Sequence, residues 1–248
     1  EAHSGNFNID ADKVGIGVTS PAATLDVAGT IKVSTGTDNV GVGGLTLAAL
    51  TSGSDNVAVG YNVLNDLTTG GQNTAIGHAA LDNATTPSYN TAIGAISLTD
   101  VTTGSYNTAV GRGAAKSIVT DSYVVAIGYN ALYTNSAHSG SLNTAVGGLS
   151  QANATSYYNT SLGYRTLEDS TSHSNTAVGR QALAESTSGA YNTSVGSLAM
   201  GVSTTGSYSV AVGANALEDV TTGSHNVAVG YNAGQTQTTA AGNVHIGS

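Results

Sequence analysis

Apolar, small and polar positions recur along this chain in a fixed order. From Asn39 onward a pentad of the form Asn-Thr/Val-Ala-Val/Ile-Gly returns about thirteen times. It closes on Gly43, Gly60, Gly77, Gly94, Gly111, Gly128, Gly147, Gly163, Gly179, Gly196, Gly213, Gly230 and Gly247. Nine of the twelve steps between these glycines are 17 residues long. The residue before each glycine is aliphatic, as in Val59, Ile76, Ile93 and Val110, and a small residue precedes it, as in Ala58, Ala75, Ala92 and Ala109. This alternation predicts a short strand with one apolar and one very small face. The aliphatic residue is expected to anchor the interior, and the small one to leave room for a neighbouring chain. Glycine ends the strand where φ turns positive or backbones approach closely.

Four residues past the glycine stands a second apolar position. It is Leu47, Leu64, Leu81, Leu98, Leu132, Leu167, Leu183 or Leu217, replaced elsewhere by Ala115, Gln151, Met200 and Gly234. A polar turn follows, such as Thr68-Thr69-Gly70 or Thr221-Thr222-Gly223. Two short strands and two turns per repeat predict one coil of a parallel β-roll or β-solenoid, an all-β fold. At ~4.8 Å per coil, thirteen coils make a rod about 60 Å long. The Asn that opens each strand, including Asn56, Asn73, Asn90 and Asn107, is expected to stack on its neighbours as an amide ladder, with Gly60, Gly77, Gly94 and Gly111 as the matching glycine column. Val124 and Ser209 interrupt the Asn column, and steps of 19, 16 and 16 between Gly128 and Gly179 predict altered turn lengths.

Residues 1–38 lie outside this register and form an N-terminal β segment, leaving 39–248 as the repeat shaft. Two short strands around Ser20-Pro21 and a Gly-linked strand within Leu25–Val33 are expected there, with Phe7, the one Phe, packing as a cap.

Composition narrows the class. With 8% charged residues, one Phe, no Trp and 33 glycines, large core fillers are too scarce for a helical bundle or a packed α/β core. Regularly placed Val, Ile and Thr argue against disorder. The formal net charge of −9, from 6 basic and 15 acidic residues, argues against nucleic acid and anionic membrane as partners. There is no cysteine, and no apolar run is long enough to span a bilayer. The start at Glu1 is read as a processed product or part of a longer chain. Each coil buries little. At ~1.5–3 kcal/mol per buried side chain against ~1–2 kcal/mol of ordering cost per residue, an isolated rod is poorly supported. A homotrimer around the long axis is therefore expected, with the small face as the contact.

The Asn-Thr-Ala-Val-Gly-x-x-Ala-Leu repeats resemble the head repeats of trimeric autotransporter adhesins, and more closely the repeat arrays of bacteriophage tail fibres. Val14-Gly15-Ile16-Gly17-Val18-Thr19-Ser20-Pro21 with Leu25-Asp26-Val27-Ala28-Gly29-Thr30-Ile31 is similar to a segment common in phage fibres. Together these cover nearly the whole chain. The period departs from the autotransporter heads, which run shorter, so longer turns are expected here. The resemblance implies a left-handed parallel β-roll in a trimer. It further implies a virion tail-fibre shaft, not an enzyme, that contacts other fibre proteins and presents or contributes to binding of a host cell-surface glycan or protein. A bacterial surface adhesin head is the alternative.

No catalytic constellation or cofactor motif stands out. The carboxylates Asp66, Asp82, Asp100, Glu168, Glu185 and Glu218 recur in the turn after the Leu position. They read as solvated turn residues rather than an acid pair. The calcium nonapeptide is absent. His245 replaces the small mid-strand residue, so three copies would ring an axis and hold a metal if that face points to it. Tyr89, Tyr106, Tyr123, Tyr158, Tyr191 and Tyr208 precede the strands, and Tyr61, Tyr129, Tyr164 and Tyr231 follow the glycines. The first column reads either as a receptor grip or as coil-to-coil stacking. Ice binding through the Thr-Thr pairs is a further reading, weakened because adjacent side chains point to opposite faces.

Overall fold

The computed structural model describes residues 7–10, 13–16, 25–27, 38–134 and 142–247. It divides into two compact units, 1–34 and 35–248. In the first, β1 (Phe7–Asp10) pairs antiparallel with β2 (Lys13–Ile16), which pairs parallel with β3 (Leu25–Val27). Phe7 opens a strand, opposite Ile16, and its packing as a cap lies outside what is described of that residue. The expected Ser20-Pro21 turn lies outside the described residues.

The second unit is a parallel β-solenoid without helix among the described residues. Thirteen three-residue strands, from β4 (Val40–Val42) to β16 (Val244–Ile246), form one sheet in chain order. Every neighbour is parallel and in register, so Thr74 pairs with Thr91, Ala75 with Ala92 and Ile76 with Ile93.

Each coil carries one strand, not the expected two. The closing glycines have φ between +115° and +144°. A Cβ on Gly94 would sit 2.5 Å from the carbonyl oxygen of Gly111, so both dihedral and space demand glycine. Beyond it the chain turns left-handed twice more, as at Ile96 (φ 52°) and Leu98 (φ 49°). That conformation costs a non-glycine residue roughly 1–2 kcal/mol and rules out a second strand. Coil-to-coil hydrogen bonding nevertheless continues around the turn. The Leu81 amide donates to Ser97 (3.0 Å), and the Ile96 amide donates back to His78 (2.8 Å).

The interior reverses the expected polarity of the strand. Ala58, Ala75, Ala92, Ala109 and Ala126 are fully buried, whereas Ile76, Ile93 and Ile127 are 38–39% exposed. The coil is narrow, and Leu64, Leu81 and Leu98 fill it from the far side. Facing a leucine, the strand has room for a methyl group only, so the β-branched residue points out. Where the Leu position shrinks to Ala115, the interior position three residues on is Ile118, larger than the Ala84 or Val101 that accompany Leu81 and Leu98.

The Asn ladder is present and does more than stack. The Asn56 Nδ2 donates across its own coil to the Gly70 carbonyl (3.0 Å) and to Asn39 Oδ1 (2.9 Å). Its Oδ1 accepts the backbone amide of Asn73 (3.0 Å). The pattern repeats through Asn73, Asn90 and Asn107. Ser209 substitutes in part, its Oγ accepting the Asn226 amide at 3.1 Å. Asn73→Ala strands the Asn90 amide and the Pro87 carbonyl in the interior, at about 1–3 kcal/mol for each unpaired group. Asn73→Ser keeps an acceptor. Thermal or denaturant melts should show a large loss for the alanine variant and a clearly smaller one for serine.

Candidate interaction surface

The residues left outside define the surface. Each strand presents two outward side chains. One column contains Val57, Thr74, Thr91, Thr108, Val125, Val210 and Val227; the other contains Ile76, Ile93, Val110, Ile127, Leu162, Val212 and Val229. Parallel, in-register pairing aligns them into two rows along the whole sheet. At ~4.8 Å per strand and ~7 Å between columns, this is a flat aliphatic and threonine face about 60 Å long. Soluble monomers rarely expose a contiguous apolar patch beyond a few hundred Å².

One residue past each glycine a further row runs beside the Ile/Val column. It contains Tyr61, His78, Arg112, Tyr129, Tyr164, Arg180 and Tyr231. Tyr61 stacks on His78 at 5.7 Å between ring centroids, and the Arg112 guanidinium lies 5.9 Å from the Tyr129 ring. Tyrosine and arginine beside an apolar strip have the composition of a protein interface.

The tyrosines ahead of the strands behave differently. Tyr89, Tyr106 and Tyr123 stack face to face, with centroids 4.8 and 5.1 Å apart and ring planes within 6°. Tyr191, Tyr208 and His225 form a second stack. Tyr158 meets Tyr157 edge-on, and Tyr157 stacks on His173. Ring faces are thus turned to neighbouring coils, and the exposed parts are edges and hydroxyls. Stacking between coils is thus present, and the same tyrosines stay about half exposed along the surface. The turn before the strand holds them at φ near +60°.

Three of the recurring carboxylates bond to neighbouring coils, and Asp66 and Glu168 bond within their own coil. Asp82 accepts from Asn62 (2.6 Å), Asp100 pairs with Lys116 (3.2 Å), and Glu218 accepts from Gln235 (2.7 Å). Arg165 pairs with Glu168 at 2.5 Å. Burial raises the Asp82 carboxyl above its ordinary pKa; the Asn62 hydrogen bond opposes this, the Asp66 charge adds to it and His78 opposes it.

Each Thr-Thr pair is divided. The first hydroxyl donates to the next coil, as Thr68 to the Thr85 carbonyl (2.9 Å) and Thr204 to the Thr221 carbonyl (3.0 Å). Thr69 and Thr205 are exposed. The pairs therefore give no two-row array of free hydroxyls.

His245 sits in the mid-strand column, which is the inner one, so it does not face an axis outside the coil as the metal-ring expectation required. It pairs in register with Ala228 and reaches toward Gly234, whose missing side chain leaves it room. It lines a recess of about 370 Å³ at the last described coil. Among the described residues no group of three or more His, Asp or Glu could hold a metal ion.

No protein-family model, curated protein or solved structure matches this chain.

The outward aliphatic face is what sequence reasoning missed. The signal was available: the middle residue of the strand is small in nearly every copy, which marks where space runs out, while both flanking positions accept Val, as in Val57-Ala58-Val59 and Val227-Ala228-Val229.

Two predictions follow from these contacts. Tyr106→Ala removes stacking on both sides and should cost about 1–2 kcal/mol, whereas Tyr106→Asn, a residue tolerant of positive φ, should cost less. Equal melting of all three proteins would contradict the stacking role. For Asp82, a raised folded pKa means that its contribution is favourable below the unfolded pKa and lost as pH rises through the folded value. Asp82→Asn should therefore raise the melting midpoint slightly at neutral pH, with the gain vanishing in acid.

Proposed function

We propose that this chain is a structural and adhesive fibre segment, a rigid homotrimeric shaft of a bacteriophage tail fibre that presents or contributes to host-receptor binding. The observation that carries the reading is the continuous outward row of Ile76, Ile93, Val110, Ile127 and their counterparts, with its Tyr and Arg border. A face of this length stays soluble when covered, and two further copies of the same rod offer a cover of matching repeat and equal length. Cyclic symmetry closes such an assembly and prevents open-ended growth. The contact is thus assigned to the aliphatic face, in place of the small face expected from sequence. The repeat and N-terminal resemblances support the fibre context, with virion location and with other fibre proteins and a host glycan or protein as partners. A bacterial surface adhesin head of the same build is the alternative. A self-cleaving chaperone domain encoded downstream would support the fibre, and a membrane-anchor barrel the adhesin. Ice binding finds less support, since one outward column is entirely Val, Ile or Leu and the other is part Val; measured thermal hysteresis would revive it.

Light scattering with electron microscopy on the isolated chain tests the shaft. Rods of three chains are expected, and Ile93→Asp with Ile127→Asp should dissociate them while leaving the interior intact. A stable, soluble wild-type monomer would overturn the proposal.

A further inference from the structure

We infer that the shaft is built as two cooperative blocks that part at a polar rung formed by Gln151 and Ser161. At most other levels the interior packs an apolar side chain, usually Leu, against alanine, and β13 (Thr193–Val195) carries a buried Ser194 opposite Met200. Here the Leu position of one coil is Gln151 and the mid-strand position of the next coil, β11 (Thr160–Leu162), is Ser161, both fully buried. The Gln151 Nε2 donates to Ser161 Oγ (2.7 Å) and to the Thr144 carbonyl (3.1 Å), and Ser150 Oγ lies 2.6 Å from Ser161 Oγ. The buried Gln151 Oε1 has no hydrogen-bond partner among the described residues.

Three features accompany this rung, the first of them its direct consequence. One cluster of buried apolar side chains runs from Leu47 to Ala145, and the next begins at Leu167. The interior position held by Leu67, Ala84, Val101 and Ile118 in the first block becomes Ser170, Ser186 and Ser203 beyond the rung, before returning to Val220. Ser170 and Ser186 are linked through Ser172, at 3.0 Å on each side. The irregular steps of 19, 16 and 16 residues fall on the same stretch.

A solenoid's stability is approximately a sum of coil terms and nearest-neighbour interfaces, so it divides at its weakest interface. Here apolar contact gives way to hydrogen bonds of small net worth and an unpaired acceptor. The backbone remains continuous: β10 (Thr144–Val146) and β11 pair in parallel, and the Asn159 amide still reaches Asn143 Oδ1 (2.9 Å). The rung weakens the rod without interrupting it. Under denaturant or load the shaft opens here while each block stays folded. This depends on the interior alone and holds for one chain or three.

Hydrogen exchange of the full chain, read by mass spectrometry across a denaturant series, tests it. Amides of residues 144–162 should exchange at least about tenfold faster than those of 57–128 and 176–229, and the two blocks should lose protection at separate denaturant concentrations. Gln151→Leu with Ser161→Ala should raise protection at the rung and bring the two transitions together. A single uniform transition in the unchanged chain, a weakest point elsewhere, or a gap untouched by the double substitution would overturn the inference. If the double variant does not fold, the exchange map of the unchanged chain still decides.

Discussion

Except after Val124 and Ser209, each coil hangs on the amide side chain of the coil before it. One Asn does two things for a narrow solenoid. Its Nδ2 crosses the coil to a turn carbonyl 14 residues ahead, as Asn90 does to Gly104, and so closes the ring. Its Oδ1 accepts the backbone amide of the next Asn, 17 residues ahead, and so sets the stacking distance and register. Both groups are in the dry interior, where an unpaired amide or carbonyl is costly. The double attachment fixes closure and register without dictating the length of the turns. Where turn lengths change, the ladder absorbs it: Asn159 and Asn175 keep their amide-to-Oδ1 bonds across 16-residue steps, at 2.9 and 2.8 Å.

Once closure and register are fixed, little space remains, and that shortage distributes the side chains. A leucine held in a left-handed turn fills the coil from one side, and only alanine or serine fits opposite. Leucine is a poor choice for positive φ on its own, since the local cost is roughly 1–2 kcal/mol. It is retained because burying the side chain is worth ~1.5–3 kcal/mol and because the turn directs it inward. The tyrosines at φ near +60° accept the same cost, with ring stacking as the offset.

This explains what was legible in the sequence. Period, strand position, glycine column and Asn ladder could all be read, because each depends on a residue type with a narrow physical role: Gly94 for a positive φ against a neighbouring carbonyl, Asn73 for two simultaneous bonds. The direction of the strand could not be read from alternation alone. In Thr91-Ala92-Ile93 the rule that the larger apolar residue is inside points the wrong way, since it assumes a core with space to fill. The second strand failed for a related reason. Leu98 looks like a strand residue, but its left-handed dihedral is set by the turn and cannot be seen in side-chain chemistry. The candidate surface was inverted with the strand, and the tyrosine columns were left open between two roles because ring orientation is a property of coil spacing rather than of residue type.

A coil too thin to bury its β-branched residues must leave them on one side, and parallel stacking lines them up. The aliphatic face and the thin interior are therefore one property seen from two sides. Making the coil thicker would hide the face but lose the one-Asn closure; making the face polar would leave a rod held together by one leucine and one methyl per level. The same thinness makes a polar pair at a single level, such as Gln151 with Ser161, matter along the axis, because there is no second layer of apolar contact to bridge it. The lateral cover by other chains that we propose and the internal parting line that we infer would thus both follow from the same geometry. The first would spread support along the whole rod, and the second would set where that support is needed most.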